Sequence, residues 1–325
     1  MADWAMYVIV GDDGTVAMHE SRFGAVGIDL DLMAGPDVVL PFVRAQSACT
    51  HWRDDVWCEA AALFDLRRRV LLMFAWEGPV TRMPHRAAAF ELLRAAWPGW
   101  EVRCGHDGPA DLLTYMGLDP AVVRDPDASC YVGSPVDAAE LADWEGDWGG
   151  DDYLCAVTVG GRCHLLVYAD DHPIALGPAL LDQLADAEDH APCDRVVGAG
   201  VHVDAARRWV GWWLLDAQAG AYDMASRWPG WTVEFWGDRY AEHVAAADGV
   251  FVPRSPDRRR ALVEVRDEAL KHWAERRGQQ VDALVEEVRA KRRFRVRRDR
   301  EVVGLTPVQA AAAAVLAAWE STRGV

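Results

Sequence analysis

The tetrapeptide Trp-Pro-Gly-Trp occurs twice in this chain of 325 residues, at positions 97–100 and 228–231. Further matches flank both occurrences in the same order, at the same spacing or after small gaps. Several matches in one order predict an internal duplication, which restricts the fold to two similar units. The matching pairs are Glu101-Val102 with Thr232-Val233, Asp107 with Asp238, Ala110 with Ala241, Arg124 with Arg254, Asp65 with Asp204 and, more loosely, Tyr7-Val-Ile-Val-Gly with Tyr153-Leu-Cys-Ala-Val.

The duplication divides the chain into four segments. Repeat copy one covers residues 1–127, and repeat copy two covers residues 150–257. Between them, residues 128–149 contain Gly133-Ser-Pro and Glu145-Gly-Asp-Trp-Gly-Gly, a composition typical of a connection. Residues 258–325 lie outside the repeat and form a basic helical appendage.

The pattern of apolar residues predicts the same elements in each copy. In copy one, short β runs flank Gly11-Asp-Asp-Gly14, which is a hairpin signal, and His85–Trp97 has helical periodicity. The whole unit has the order β-β-α-β-β-α-β-α. We therefore expect an α+β fold, with a mostly antiparallel sheet and helices on one face of it.

The repeated tetrapeptide has a structural explanation. Proline cannot continue a helix, and glycine accepts the positive φ of a helix C-cap, so Pro-Gly ends the helix before it. We expect Trp97 and Trp228 to be buried, with the turn packed between helix and sheet. The alternative is that these indoles form a stacking platform for a ligand.

Charge is unevenly distributed along the chain. The net charge is −17, yet residues 254–325 hold 17 Arg and Lys against 11 Asp and Glu, and the first 253 residues hold 17 against 40. An acidic body repels phosphate backbones, so nucleic acid is not an expected partner. Seven basic residues lie between Lys291 and Arg300 and could contact nucleic acid, but the acidic body of the same molecule is the expected partner.

The appendage is expected to dock on the two copies by an apolar face. Leu262, Val265, Ala269 and Trp273 recur at helical spacing and predict such a face. Pro307 begins a second, alanine-rich helix that is expected to end near Thr322. Exposed ion pairs contribute little, so the apolar face must supply most of the stability of docking.

The remaining composition favours a soluble, cytoplasmic, bacterial protein. Seven cysteines are scattered and never form a Cys-x-x-Cys motif, which indicates reduced thiols. The longest apolar run is too short to span a membrane, the start of the chain lacks a basic region, and the bias towards Ala, Arg, Asp and Gly is typical of a GC-rich genome. The cysteines and histidines of copy two have no zinc-site spacing, so no metal is predicted, and no cofactor is identified.

Differences between the copies suggest candidate binding residues. Copy one has Met18-His-Glu-Ser-Arg22 near its second strand, where copy two has Leu165-Leu-Val-Tyr-Ala169. His19, Glu20 and Arg22 could supply a proton shuttle, a carboxylate and an anion clamp. The alternative is that this strand is an exposed edge, since edge strands commonly carry charge.

A second candidate is the polar, aromatic stretch of residues 51–59, which has no clear match in copy two. Trp52, Trp57 and Glu59 could line a pocket or cover a partner. Otherwise the stretch is a solvated loop held by its two tryptophans. Asp107 is a further candidate carboxylate.

Two functions of different classes fit these observations. The first is a non-catalytic binding or interaction protein, immunity-like or regulatory, whose acidic and tryptophan-rich scaffold binds a protein or a small molecule. The alternative is an enzyme with an acid/base pocket between the copies, built on His19, Glu20 and Arg22. Convergence of those three side chains on a concave site would favour the enzyme.

Overall fold

The structure is a computed structural model that describes residues 3–125, 131–141, 153–168, 171–254, 257–290 and 307–322, without the side chains of residues 276–290, 307 and 308. It contains two β-sheets, the first built from residues 5–104 and the second from residues 154–235, and helices that pack on them. The α+β prediction is confirmed at this level.

The first sheet has six strands in the spatial order β3-β2-β1-β4-β5-β6. Strand β1 runs antiparallel to β2 and parallel to β4, β4 is antiparallel to β5, and β5 is parallel to β6. Strand β3 adds to β2 at the edge in the antiparallel sense. The strands are Ala5–Val10 (β1), Val16–Ser21 (β2), Ser47–Cys49 (β3), Ala60–Asp65 (β4), Val70–Ala75 (β5) and Glu101–Cys104 (β6).

The second sheet has five strands in the order β11-β10-β9-β7-β8. Strand β7 is antiparallel to β8 and parallel to β9, β9 is antiparallel to β10, and β10 is parallel to β11. Strands β7, β8, β9, β10 and β11 thus have the same neighbours and directions as β1, β2, β4, β5 and β6, respectively. We call residues at the same position in corresponding strands counterparts. The strands are Leu154–Val159 (β7), Arg162–Val167 (β8), Ala199–Asp204 (β9), Trp209–Leu214 (β10) and Thr232–Phe235 (β11).

Both sheets are mixed and are covered on both faces, which corrects the expectation of mostly antiparallel sheets with helices on one face. Every residue of β4 and β5 is buried, so each face of the first sheet needs a cover. The parallel neighbours also need crossover connections, which the helices supply. The helices are Ile28–Leu32 (α1), Pro36–Arg44 (α2), Met83–Ala96 (α3), Pro109–Tyr115 (α4), Ala179–Gln183 (α5), Tyr240–Ala246 (α6), Arg258–Ala290 (α7) and Pro307–Thr322 (α8).

The two Trp-Pro-Gly-Trp turns have nearly the same conformation. Trp97 follows α3 and Trp228 follows a 3₁₀ segment, Ala221–Arg227, and their φ and ψ angles are −115° and 62° against −116° and 67°. Gly99 and Gly230 adopt φ angles of 77° and 80°, which glycine tolerates best. Each turn then enters the last strand of its sheet, β6 or β11.

Both first tryptophans of these turns are core residues. Trp97 is fully buried and Trp228 is 1% exposed. The Trp97 Nε1 donates to the Leu32 carbonyl at 2.7 Å, and the Trp228 Nε1 donates to the Ile174 carbonyl at 2.8 Å. Rings with no exposed face cannot stack on a ligand, so these two indoles are structural.

The appendage packs on the first half of the chain. Helices α7 and α8 contact α3, and Leu262, Val265, Ala269 and Trp273 are buried in the core that the first sheet shares with them. The ion pairs along this contact are not simply basic appendage to acidic body. Helix α7 contributes the acidic partner in two pairs, Glu264 with His85 and Glu268 with Arg82. It contributes the basic partner in two others, Arg258 with Glu91 and His272 with Asp31. The basic stretch from Lys291 to Arg300 lies outside the described residues.

Candidate functional site

The candidate residues His19, Glu20 and Arg22 do not converge. His19 lies opposite Tyr7 and Glu20 lies opposite Met6 across the β1–β2 pair, and those partners belong to cores on opposite faces of the sheet. Arg22 follows the strand and is exposed. No site on one face can use all three side chains.

The register also removes the reason for selecting His19. The pairs Tyr7–His19 and Val157–His164 occupy equal positions in the two sheets, so the counterpart of His19 is another histidine. The Nδ1 atoms of His19 and His164 lie 3.3 and 2.7 Å from the carbonyls of Gln46 and Glu188. A histidine bound to a backbone carbonyl is common to both sheets and does not distinguish one of them.

Glu20 is neutralised inside the fold. Arg53 donates to its Oε2 atom from Nη2 at 2.7 Å and from Nε at 3.1 Å. The guanidinium of Arg53 also lies 3.5 Å from the centre of the Trp4 ring. The stretch 51–59 therefore holds a stacked and ion-paired arginine, and Trp52 from the same stretch packs on the adjacent core.

Asp107 fastens the first half of the chain to the second. It accepts hydrogen bonds from Arg124 Nη2 at 2.6 and 2.5 Å and from the backbone N–H of Gly220 at 2.6 Å. Burial raises the pKa of Asp107 above its ordinary value despite these donors. Its role in the structure is to hold the 216–220 loop of the second half.

Arg86 makes a second contact between the two halves of the chain. Its buried guanidinium donates from Nε to Asp238 at 2.8 Å and from Nη1 to the carbonyls of Leu215, at 2.5 Å, and Val80. Burial and the charge of Arg86 lower the pKa of His106 beside it to about 4. Asp107 and Asp238, which the sequence comparison above aligns, thus both lie at the junction of the two sheets.

A chain of hydrogen bonds runs through the core of the second sheet. The Thr158 hydroxyl lies 2.8 Å from His202 Nδ1 and 2.7 Å from His243 Nε2, and Trp213 Nε1 donates to His243 Nδ1 at 3.1 Å. We call these four residues the histidine relay. An indole N–H can only donate, so His243 Nδ1 accepts and its Nε2 carries the proton. Thr158 then accepts from His243 and donates to His202.

The counterparts of the histidine relay in the first sheet are apolar. The pair Val8–Leu63 occupies the position of Thr158–His202, and Phe74 occupies the position of Trp213. Leu112 is the fourth residue of α4, as His243 is of α6. The first sheet shows that the same strand arrangement packs with a hydrophobic set at these positions.

The histidine relay makes a pH dependence testable. Burial lowers the pKa of His243 to about 3, whereas an unfolded histidine titrates near 6.5, so the unfolded chain binds the proton first. The resulting stability is present above about pH 6.5 and is lost as the pH falls towards 3. Each pKa unit corresponds to about 1.4 kcal/mol, so at pH 5 the loss is about 2 kcal/mol.

A variant with the first sheet's residues, T158V/H202L/W213F/H243L, should lack this loss. Urea unfolding at pH 7 and pH 5 measures it: the stability of the variant relative to the parent should rise by at least about 2 kcal/mol at the lower pH, because the variant also lacks His202, whose pKa burial lowers. Parallel pH dependences of the two proteins would contradict the neutral buried histidine.

Two tryptophans flank a carboxylate at one end of the first sheet. Trp4 precedes β1, Glu59 precedes β4 and Trp76 follows β5, and these strands are neighbours. The Glu59 N–H donates to the Trp4 carbonyl at 3.1 Å, and the Trp76 N–H donates to the Glu59 carbonyl at 3.1 Å. The register therefore places the three side chains in a row on one face, which we call the Trp4–Glu59–Trp76 row.

The row is open and acidic. Trp76 is 40% exposed, and Trp57, two residues before Glu59, is 57% exposed. Burial, followed by the charges of Asp3 and Glu77, raises the pKa of Glu59 above its ordinary value, and a side-chain hydrogen bond with Asp3 raises it further. In the described part of the chain none of these three carboxylates forms an ion pair with a basic side chain.

The counterparts of the row are covered in the second sheet. Leu154, Gly198 and Leu215 repeat its two backbone hydrogen bonds, at 3.0 Å each. Leu154 and Leu215 are buried in one core with Val136 and Leu141. The position that the second sheet buries with apolar side chains is thus a tryptophan and carboxylate surface in the first sheet.

Of the candidate residues, Glu59 lies at this surface and exposed Trp57 precedes it by two residues, whereas Trp4, Trp76 and Glu77 were missed. The loose alignment of Tyr7 with Tyr153 differs from the structural register, in which Ala5 and Cys155 are counterparts. With that register, the sequence comparison would have selected the row, because Trp4, Glu59 and Trp76 then align with Leu154, Gly198 and Leu215.

No protein family, curated protein or solved structure matches this chain. Within the described residues no group of His, Cys, Asp and Glu side chains could hold a metal ion. In the same residues, no helix combines the length and the apolar character that a membrane span requires.

Proposed function

We propose that this chain is a non-catalytic binding protein and that the Trp4–Glu59–Trp76 row is its binding surface for a cationic group of a partner. One observation carries the proposal: exposed Trp76 lies beside Glu59, which has no basic side chain of the described residues as an ion-pair partner, where the second sheet buries its counterparts. A cation beside an indole face gains from the ring quadrupole, and it relieves the repulsion among Glu59, Asp3 and Glu77.

We further propose that the two halves of the chain arose by duplication of one unit, which would support a binding role. The two sheets share strand order and directions, their Trp-Pro-Gly-Trp turns share conformation, and Asp107 and Asp238 both fasten the junction. A duplicated unit can change one copy while the other keeps the fold. A cytoplasmic location is also proposed, because the six described cysteines are all free thiols, and a bacterial source is proposed from the bias towards Ala, Arg, Asp and Gly.

The enzyme alternative has less support. His19 and Glu20 point to opposite faces, Glu20 is paired with Arg53, and Arg22 lies apart from both. Asp107 is held by Arg124 and by a backbone N–H. No specific observation favours catalysis by these residues.

Titration calorimetry with a capped basic octapeptide tests the proposal. Glu59→Gln and Trp76→Ala should each weaken binding by about fivefold or more, because each removes a charge or a ring that contacts the cation. Glu234→Gln on the exposed surface of β11 is the matched control and should leave the affinity unchanged. Equal affinities of parent, Glu59→Gln and Trp76→Ala would contradict the proposal, as would equal binding of an acidic octapeptide.

A further inference from the structure

The neighbourhood of the row already contains a cation held by a tryptophan and a carboxylate. Arg53 stacks on Trp4 with 3.5 Å between guanidinium carbon and ring centre, and two of its nitrogens donate to one oxygen of Glu20. A guanidinium suits this arrangement because it is planar, stacks on aromatic faces and presents several donors in one plane. The arginine of this arrangement belongs to the chain itself.

Trp76 and Glu59 provide a second tryptophan ring and a second carboxylate at the ends of the next two strands, β5 and β4. They are direct cross-strand neighbours joined by a backbone hydrogen bond of 3.1 Å. Directly opposed side chains stand about 5 Å apart, so one planar group could contact both the ring and the carboxylate. In the described residues, no arginine occupies this second arrangement.

The chemistry of the pair separates two kinds of cation. A lysine ammonium is compact and strongly hydrated, so its approach to a ring face costs more desolvation, and it has no planar group that can stack on the ring. A guanidinium is weakly hydrated and can stack on Trp76 while its edge donates to Glu59.

We infer that the Trp4–Glu59–Trp76 row binds the guanidinium of an arginine side chain on the surface of a partner protein. The inference rests on the proposed function and narrows its ligand from any cationic group to arginine. The net acidity of the first 253 residues, with 40 acidic against 17 basic side chains, favours a basic partner surface around that arginine.

Three capped octapeptides of one sequence test the inference, with arginine, lysine or neutral citrulline at the same three positions. Titration calorimetry should give an arginine peptide bound about fivefold or more tighter than the lysine peptide, and a citrulline peptide bound weakest. Glu59→Gln should remove the preference for arginine, and Glu234→Gln should keep it.

The outcomes separate the two proposals. Equal affinity for the arginine and lysine peptides would overturn the guanidinium assignment and leave a general cation site. Absence of binding by both would overturn the proposed function as well. A further variant replaces the seven basic residues between Lys291 and Arg300 with glutamine. If that variant bound the arginine peptide about fivefold or more tightly than the parent, the chain's own arginines would be the occupant, and the assignment to a partner would be overturned.

Discussion

Replacing Trp228 with alanine is expected to lower the free energy of unfolding by about 3–5 kcal/mol, and replacing Trp97 should cost a similar amount. Both indoles are buried, and each replacement removes the packing of the ring and its hydrogen bond to a backbone carbonyl. Trp231→Ala is a matched control in the same tetrapeptide, because this ring is only half-buried and should cost less. Urea or thermal unfolding measures the three values, and a melting curve unchanged by Trp228→Ala would contradict a structural role for the turn.

The second large effect is expected at Arg86, which joins the two halves of the chain. Arg86→Met keeps the aliphatic stem but leaves the carbonyls of Val80 and Leu215 without a donor, which should cost about 2–4 kcal/mol. Asp238 is partly exposed, so the loss of its ion pair should contribute little of this.

Arg103→Met is the control for that experiment. Arg103 forms an exposed pair with Glu101, and its replacement should cost less than about 1 kcal/mol. If denaturant unfolding gave equal losses in the free energy of unfolding for the two arginine variants, the contacts of Arg86 would not stabilise the junction of the two halves as this account states.

Elements with a local signal could be predicted from the sequence. Proline and glycine of each tetrapeptide end the element before it, which is helix α3 in the first half and a 3₁₀ segment in the second. Four apolar residues at helical spacing mark the docking face of α7: Leu262, Val265, Ala269 and Trp273. Each of these features depends on residues within a few turns of one another. The alanine-rich helix that begins at Pro307 follows from the same local rules.

Features that depend on register could not be predicted. A shift of strand alignment by a few residues changes which side chains are compared, so sequence comparison pairs His19 with an apolar residue although its counterpart in the sheets is His164. The Trp4–Glu59–Trp76 row joins residues that adjoin the ends of three separate strands, and no local pattern connects them. The histidine relay likewise joins three strands and a helix.

The indole signals of the tryptophans test the central claim most directly, because they report where a cationic ligand binds. In a proton–nitrogen correlation spectrum, with signals assigned by single tryptophan replacements, the arginine octapeptide should shift the Nε1–H signals of Trp76 and Trp4. The signals of buried Trp97 and Trp228 should stay in place. Shifts confined to tryptophans of the second sheet, or no shift at saturating peptide, would contradict the account of the Trp4–Glu59–Trp76 row as the binding surface.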